Sequence, residues 1–301
     1  MPLSLHTVLI NCVIGFCQVD SETWIHPLAD LGYEASLLEQ KIPLTGGQEV
    51  KPDVVAHSNG LNHSLVVDCK GGTTVKEGQM DRYRLLSKSE LRNYVYIYDL
   101  GQFTHDVCIV DFEQHHGELS KLIQGFPFLT ITATHLRKSG TFTKGKLNDA
   151  FTRDVAIPAG MVEPSSYYPF SENDSQGVVV KEVLRAFVAI LQDKRKGSLN
   201  VFARETYADA DVMKMIHPMH AIMGRDHQDA VVGRVLDIIA YLQREYPDFA
   251  RQVFDIQNAR FEGMDIHVRI ANLIETCQQI TEREDEKMGL EPYMQEETPK
   301  R

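Results

Sequence analysis

Two aspartates and a lysine stand close together in the stretch Pro52-Asp-Val-Val-Ala-His-Ser-Asn-Gly-Leu-Asn-His-Ser-Leu-Val-Val-Asp-Cys-Lys70. Ser58-Asn-Gly-Leu-Asn62 is a turn signal between two apolar runs, so the stretch reads as a hairpin. A hairpin symmetric about Gly60 and Leu61 sets Asp53 opposite Asp68. Opposed residues have Cβ atoms about 4.5–5.5 Å apart. Lys70 lies two residues beyond Asp68 and so points to the same face. Leu65, Val67, Val54 and Ala56 then fill the other face and bury it. Two opposed carboxylates repel unless something neutralises them. Mg²⁺ suits such a pair, because it takes oxygen ligands and commonly binds one or two carboxylates together with a substrate phosphate. It would lower the pKa of a bound water and stabilise charge developing on phosphorus. Lys70 would position or deprotonate that water, or stabilise the anion. The rival reading is an ion pair at a sheet edge. Each half alone is weak, since Asp285-Glu-Lys287 and Pro247-Asp248 repeat the same patterns elsewhere. The signal lies in Pro-Asp opening one strand and Asp-x-Lys closing its partner, with Gly71 and Gly72 following.

The elements that must position these groups alternate. Strands are expected at Pro52–His57, Ser64–Cys69, Tyr94–Tyr98 and Val107–Phe112. Between the second and third, Met80, Tyr83 and Leu86 recur every three residues, with Leu85 widening the stripe. This predicts an amphipathic helix within Lys76–Lys88, starting after Gly78. Trp24, Ile25, Leu28 and Leu31 are at helical spacing, with Asp20 or Ser21 as cap, Gly32 as stop and Pro27 as a complication. Trp24 is expected in the core. The run Thr7–Cys17 is apolar enough to suggest a signal peptide. It lacks a basic start and a cleavage site, so it reads as a buried strand or the start of a helix.

The result is an α/β reading: a mixed sheet flanked by helices over residues 1–135. Residues 136–177, rich in Thr, Ser, Gly and Pro, are expected to be a connector. Residues 178–281 are expected to be a helical domain, winged-helix-like or serving oligomerisation. Its helix candidates are Val178–Leu191, Asp211–Met223, Ala230–Arg244 and one or two within Val253–Thr281. The charged tail 282–301 is expected to be disordered. Lys181, Arg185, Lys194, Arg195, Lys196 and Arg204 give the helical part a local positive balance that would meet phosphates, or would complement helix C-termini.

Composition sets outer limits. The chain has 301 residues, 43% of them hydrophobic and 24% charged, so it holds enough apolar material for a core. Five cysteines with no C-x-x-C pair argue against a zinc ribbon or a disulfide framework and for reduced thiols in a cytoplasm. No apolar run is long enough for a membrane span. The net charge of −11 argues against a protein that coats nucleic acid along its whole surface. It leaves room for a nuclease whose carboxylates bind metal. His115-His116 and His217-x-x-His220 have metal-ligand spacing but no cysteine or acidic partners nearby. They read, like His26, His57 and His63, as exposed or capping histidines. No P-loop, no G-x-G-x-x-G and no nucleophile elbow occurs.

Pro52-Asp53, followed by Asp68-Cys69-Lys70, resembles the motif of the PD-(D/E)xK, or restriction-endonuclease-like, nuclease superfamily. The resemblance spans roughly residues 18–112. It implies a restriction-endonuclease-like mixed sheet and Mg²⁺-dependent phosphodiester hydrolysis, with Mn²⁺ able to substitute. Asp53, Asp68 and the Cys69 carbonyl would be metal ligands, and Lys70 the catalytic lysine. Gln79-Met-Asp-Arg-Tyr83 resembles the Q-x-x-x-Y motif of RecB-like nucleases. Gln79 and Tyr83 are four apart and share a helix face. Gln79 would orient the lysine or a phosphate, and Gln79, Arg82 and Tyr83 would contact DNA, unless Tyr83 packs on the sheet. The four-cysteine iron–sulfur site of some RecB-like subgroups has no counterpart here. Glu22, on the expected first helix, matches the extra acidic metal ligand of many members, or serves the helix dipole.

The reading is therefore a Mg²⁺-dependent DNA endonuclease, serving restriction, phage defence or mobile-element processing. Its partners are DNA and either a second copy of the chain or a protein of a defence or transposition complex. The alternatives are a catalytically inactive nuclease-like module that binds DNA or assembles complexes, and an unrelated α/β protein.

Overall fold

The apolar run after Ser4 folds as helix α1 (Leu5–Phe16), capped by the Ser4 side chain, which accepts from the Thr7 amide at 3.1 Å. Nine of its residues are buried, polar Thr7 and Asn11 among them. A helix apolar on all sides belongs inside a protein. The computed structural model describes residues 3–19, 24–161, 163, 164, 166–193, 213, 216–254 and 266–296. Two units emerge: Ser4–Tyr168 with Ile222–His227, and Met1–Leu3 with Pro169–Ala221 and Gln228–Arg301.

The first unit is mixed α/β. Its strands are β1 (Glu34–Leu38), β2 (Ile42–Pro43), β3 (Glu49–Val50), β4 (Val54–Ser58), β5 (His63–Lys70), β6 (Thr104–Phe112), β7 (Phe128–Ile131), β8 (His135–Ser139) and β9 (Val155–Ala156). Seven of them form one sheet in the order β1-β4-β5-β6-β7-β8-β9. β5, β6 and β7 run parallel, and the flanking pairs are antiparallel. Helices α2 (Gln79–Leu85) and α3 (Lys88–Leu91) carry the chain across from β5 to β6. Helices α4 (Glu113–Leu122) and α5 (Gly145–Ala150) follow β6 and β8.

The expected hairpin forms in the expected register, with Val54 opposite Val67 and Ser58 opposite His63. It is not a half-open edge. Every residue of β4 and β5 is buried, because α1 packs on β4, β5 and β6. Val55, Val66 and Ile109 form a core with Met80, Tyr83 and Leu119. The α2 helix starts after Gly78 as expected, and Gly78 adopts a positive φ of 66°.

Several expectations need correction. The helix expected from Trp24 is a single turn, Ala29–Leu31, stopped by Gly32 in the left-handed region. Pro27 restricts the residue before it, so the apolar spacing there does not become a helix. Trp24 is in the core, stacked on Phe16. Tyr94–Tyr98 is not a strand. The edge of β5 is already filled by β6, and Tyr96 and Tyr98 point outward, 72% and 81% exposed. Residues 136–177 are more than a connector, since β8 and β9 extend the sheet and Tyr168 is tied to α1. Asn11 donates to the Tyr168 carbonyl at 2.7 Å and accepts from its amide at 2.8 Å.

In the second unit the described residues form helices and no strand, so no winged-helix hairpin is seen there. α6 is Gln176–Asp193, followed by Arg225–Glu245, whose first turn belongs to the other unit, then Pro247–Phe254 and Ile266–Glu296. The last helix runs into the tail expected to be disordered, as far as Glu296. Buried Glu284 holds it there by accepting from Tyr241 at 2.9 Å, Tyr246 at 2.6 Å and Lys287 at 2.7 Å. Of the basic cluster, Lys181 pairs with Asp285 and Arg185 with Glu182. Lys194, Arg195, Lys196 and Arg204 lie outside the described residues, as does most of the helix expected at Asp211–Met223. Among the described residues no helix is long and apolar enough to cross a membrane. All five cysteines are free and buried.

A candidate metal centre at the end of the hairpin

At the C-terminal end of β5, Asp68 and Lys70 stand two residues apart and form an ion pair of 2.7 Å, Nζ to Oδ2. The first turn of α2 closes over them. Gln79 accepts from Lys70 Nζ at 2.9 Å and donates to Asp68 Oδ1 at 3.0 Å. Gln79 thereby fixes both members of the pair. Tyr83, one turn on, donates to the Lys51 carbonyl at 3.2 Å and reaches Asp68 Oδ1 at 3.5 Å. Tyr83 is 2% exposed, so it is part of the scaffold and not an outer surface for DNA. Arg82 is half-buried on α2 and has no ion-pair partner among the described residues.

Asp53 sits at the mouth of β4, where the ladder loosens. Its amide bonds to the Val67 carbonyl at 3.0 Å, and its Oδ2 accepts the Cys69 amide at 2.5 Å. Its other oxygen meets two residues that the sequence reading passed over. His6 Nε2 lies 3.5 Å from Asp53 Oδ1 and 3.8 Å from Glu39 Oε1. Glu39 in turn holds Lys51 at 2.7 Å. The ligand atoms of His6, Glu39 and Asp53 all lie within 4.8 Å of one another. Glu22 is outside the described residues.

Local structure explains the meeting. Glu39 follows β1 with a φ of 51°, a left-handed conformation costly for a residue with a Cβ, and its amide bonds to the Asp53 carbonyl at 3.0 Å. Gly71 lets α1 come close, because a Cβ there would stand 2.5 Å from the His6 backbone nitrogen. The Cys69 carbonyl, expected among the metal ligands, accepts from His6 Nδ1 at 3.1 Å. Since a carbonyl only accepts, Nδ1 carries the proton. Nε2 is then the nitrogen that faces the carboxylates, in the usual arrangement of a ligating histidine held from behind.

The electrostatics mark a place built for positive charge. Burial pushes the Asp53 carboxyl up to about 8, and Glu39 and Asp68 add to the effect against His6. Burial raises Asp68 too, against the pull of Lys70. Burial would also raise Glu39, but His6 and Lys51 hold it down at about 2. Burial would lower His6, and Glu39 and Asp53 overcome it, raising the imidazole to about 9. His6 therefore acts as the cation of the cluster. On losing the Nε2 proton it would offer a lone pair to a metal. Two donors bound to one small divalent cation at about 2.1 Å stand about 3–4 Å apart, and the His6 separations fall in that range. Two carboxylates and an imidazole fit such an ion.

Sequence spacing brings together Asp53, Asp68, Lys70 and Gln79. His6 and Glu39 have no local signal beyond a histidine in an apolar helix and a glutamate after a strand. The other histidines are less exposed than expected. His57, His63 and His217 are buried, and His63 is held by Tyr33 at 2.7 Å and Asp106 at 3.1 Å.

No curated protein and no solved structure matches the chain. The MJECL32 domain matches residues 5–168, which span α1 through the tether at Tyr168. That is more than half of the sequence, and the chain belongs to the MJECL32 domain family.

Proposed function

We propose that the first unit is a metal-dependent nuclease of the PD-(D/E)xK, restriction-endonuclease-like kind. The observation that carries the reading is the interlocked set Asp68–Lys70–Gln79 beside Asp53, His6 and Glu39, all at one end of the central hairpin. His6, Glu39 and Asp53 would hold a divalent cation. That cation would supply Lewis-acid charge next to a phosphodiester. The imidazole donor favours Mn²⁺ over Mg²⁺, since hard oxygen sets suit Mg²⁺ and nitrogen suits later metals.

The chain's own groups supply the rest. Lys70 Nζ, steered by Gln79 Oε1, would donate to a phosphate oxygen and stabilise the charge that grows there as a water oxygen bonds to phosphorus and the bond from phosphorus to the leaving oxygen breaks, the proton of the water passing to solvent and the leaving oxygen taking one up. Asp68 pairs with Lys70 at 2.7 Å and aims it. Tyr83, bonded to the Lys51 carbonyl, fixes the floor beneath them. Burial of the set keeps bulk water out, where each charge acts more strongly.

Incubating the full chain with plasmid DNA and Mg²⁺ or Mn²⁺, beside Lys70→Ala and Asp68→Ala, tests the reading. Cutting that needs the metal and fails in both variants is the expected result. Binding without cutting would leave an inactive DNA-binding module. Neither binding nor cutting would refute the nucleic-acid reading.

A further inference from the structure

Lys70, Asp111 and Thr130 are register partners across β5, β6 and β7. Register partners on neighbouring strands share a face, and the strands lie about 4.8 Å apart. A polar rung thus leads away from Lys70 along the carboxyl ends of three parallel strands, the edge where open α/β sheets bind ligands. Asp111 is 0% exposed in a strand otherwise filled by Val107, Ile109 and Val110. Its Oδ2 lies 3.0 Å from His116 Nδ1, and Thr130 Oγ1 lies 2.9 Å from the same nitrogen. Asp111 Oδ1 has no hydrogen-bond partner among the described residues. A buried carboxylate with an unsatisfied oxygen destabilises a core that a valine would fill better, and such departures gather at functional sites.

The orphaned oxygen makes sense if Asp111 is there to hold His116. That imidazole rises from α4 with its edge on the Phe128 ring, centroids 5.2 Å apart at 89°. The side chain is 30% exposed, and Nε2 has no partner among the described residues. One nitrogen is anchored by a buried acid and the other has no partner among the described residues, as in histidines that act on a ligand. Asp111 pairs with it at 3.0 Å, and His115 and His116 both face the Asp111 carboxyl. Glu113, at the start of the same helix, pairs with Arg137 at 3.1 Å, and Arg137 also with Asp154.

We infer that His116, as an imidazolium whose Nδ1–H is held by Asp111, donates from Nε2–H to a phosphate flanking the one that faces Lys70, with Asp111 as its positioning residue. The inference rests on the nuclease reading and extends it to substrate held beyond the scissile bond. The test measures KM and kcat for cleavage of a fluorescein-labelled DNA oligonucleotide by the full chain, His116→Gln and Asp111→Asn. It also follows the His116 Cε1 NMR signal as the oligonucleotide is added. Loss of one charged hydrogen bond predicts KM raised about tenfold with a much smaller fall in kcat, and a His116 signal that moves on binding. If wild type cuts, His116→Gln keeps its KM and the signal stays still, His116 is only a lid on Asp111 and the inference is overturned alone. If wild type neither binds nor cuts, the nuclease reading and this inference fall together. Should Asp111→Asn not fold, His116→Gln, altered at a partly exposed helix position, decides.

Discussion

Asp53→Asn should make the cation-free protein more stable, although it removes a residue of the candidate site. Burial raises the Asp53 carboxyl to about 8, from the ordinary 3.8 of an exposed aspartate. A group raised on folding contributes stability that is complete below its unfolded pKa and is lost as the pH climbs through the folded one. For Asp53 the window therefore runs from about pH 4 to about pH 8. At pH 7 the loss has a ceiling of about 4 kcal/mol, from roughly three units at about 1.4 kcal/mol each. His6 shares the charge, so about half of that, roughly 2 kcal/mol, is the gain expected for asparagine. The substitution keeps the shape, and the side-chain oxygen still accepts the Cys69 amide that Asp53 Oδ2 now takes at 2.5 Å. Urea unfolding in EDTA at pH 7 and pH 5 measures the gap, which should shrink at the lower pH. A parallel melt in millimolar Mn²⁺ should stabilise wild type and leave the variant unchanged. A variant no more stable than wild type in EDTA at pH 7 would show that the carboxylate anchors the fold, and the argument for a cation-shaped cluster would fail.

His6→Asn removes the only nitrogen donor of the cluster, so Mn²⁺ should lose its advantage over Mg²⁺ in raising Tm, by scanning fluorimetry; an unchanged preference would place the metal elsewhere. Asp106 accepts the Thr143 amide at 2.8 Å and its hydroxyl at 2.6 Å and pairs with His63; burial would raise its carboxyl, but His63 and Thr143 hold it below the usual value. Its contribution is thus present above the unfolded pKa and lost as pH falls through the folded one, so Asp106→Asn should cost about 1–3 kcal/mol at pH 7, with the gap closing below about pH 4 in urea melts. Glu284→Ala strands two tyrosine hydroxyls and Lys287 in the helical unit, and should cost about 2–3 kcal/mol by the same measurement.

The parts of the fold that were legible in the sequence are those set by neighbours along the chain. The turn at Ser58–Asn62 fixed the hairpin register, and Gly78 with the Met80–Tyr83–Leu86 stripe fixed the start of α2. Legibility failed where a partner far along the chain decides the outcome. Tyr94–Tyr98 has strand spacing, but the edge it would pair with already belongs to β6. Thr, Ser, Gly and Pro made residues 136–177 look like a connector, yet β8 bonds to β7 over four residue pairs and α1 reaches out to Tyr168 through Asn11. The charged tail looked unfit to fold, because the tyrosines that engage Glu284 sit about forty residues earlier.

The candidate site divides along the same line. Asp68, Lys70 and Gln79 lie within one strand and the helix that follows, and their spacing alone brings them together. His6 and Glu39 arrive from α1 and from the end of β1, and each needs a backbone feature that gives no recognisable motif. One is the missing Cβ at Gly71, which admits the first turn of α1. The other is the positive φ of a non-glycine residue, which the Asp53 carbonyl helps to hold. The lysine half of the site is therefore written in local sequence, while the cation half exists only once α1 and β1 have closed on the hairpin. A metal that binds there binds the folded chain and not the unfolded one. The repulsion stored among Glu39, Asp53 and Asp68 is then a cost that the bare fold carries and that the cation would relieve.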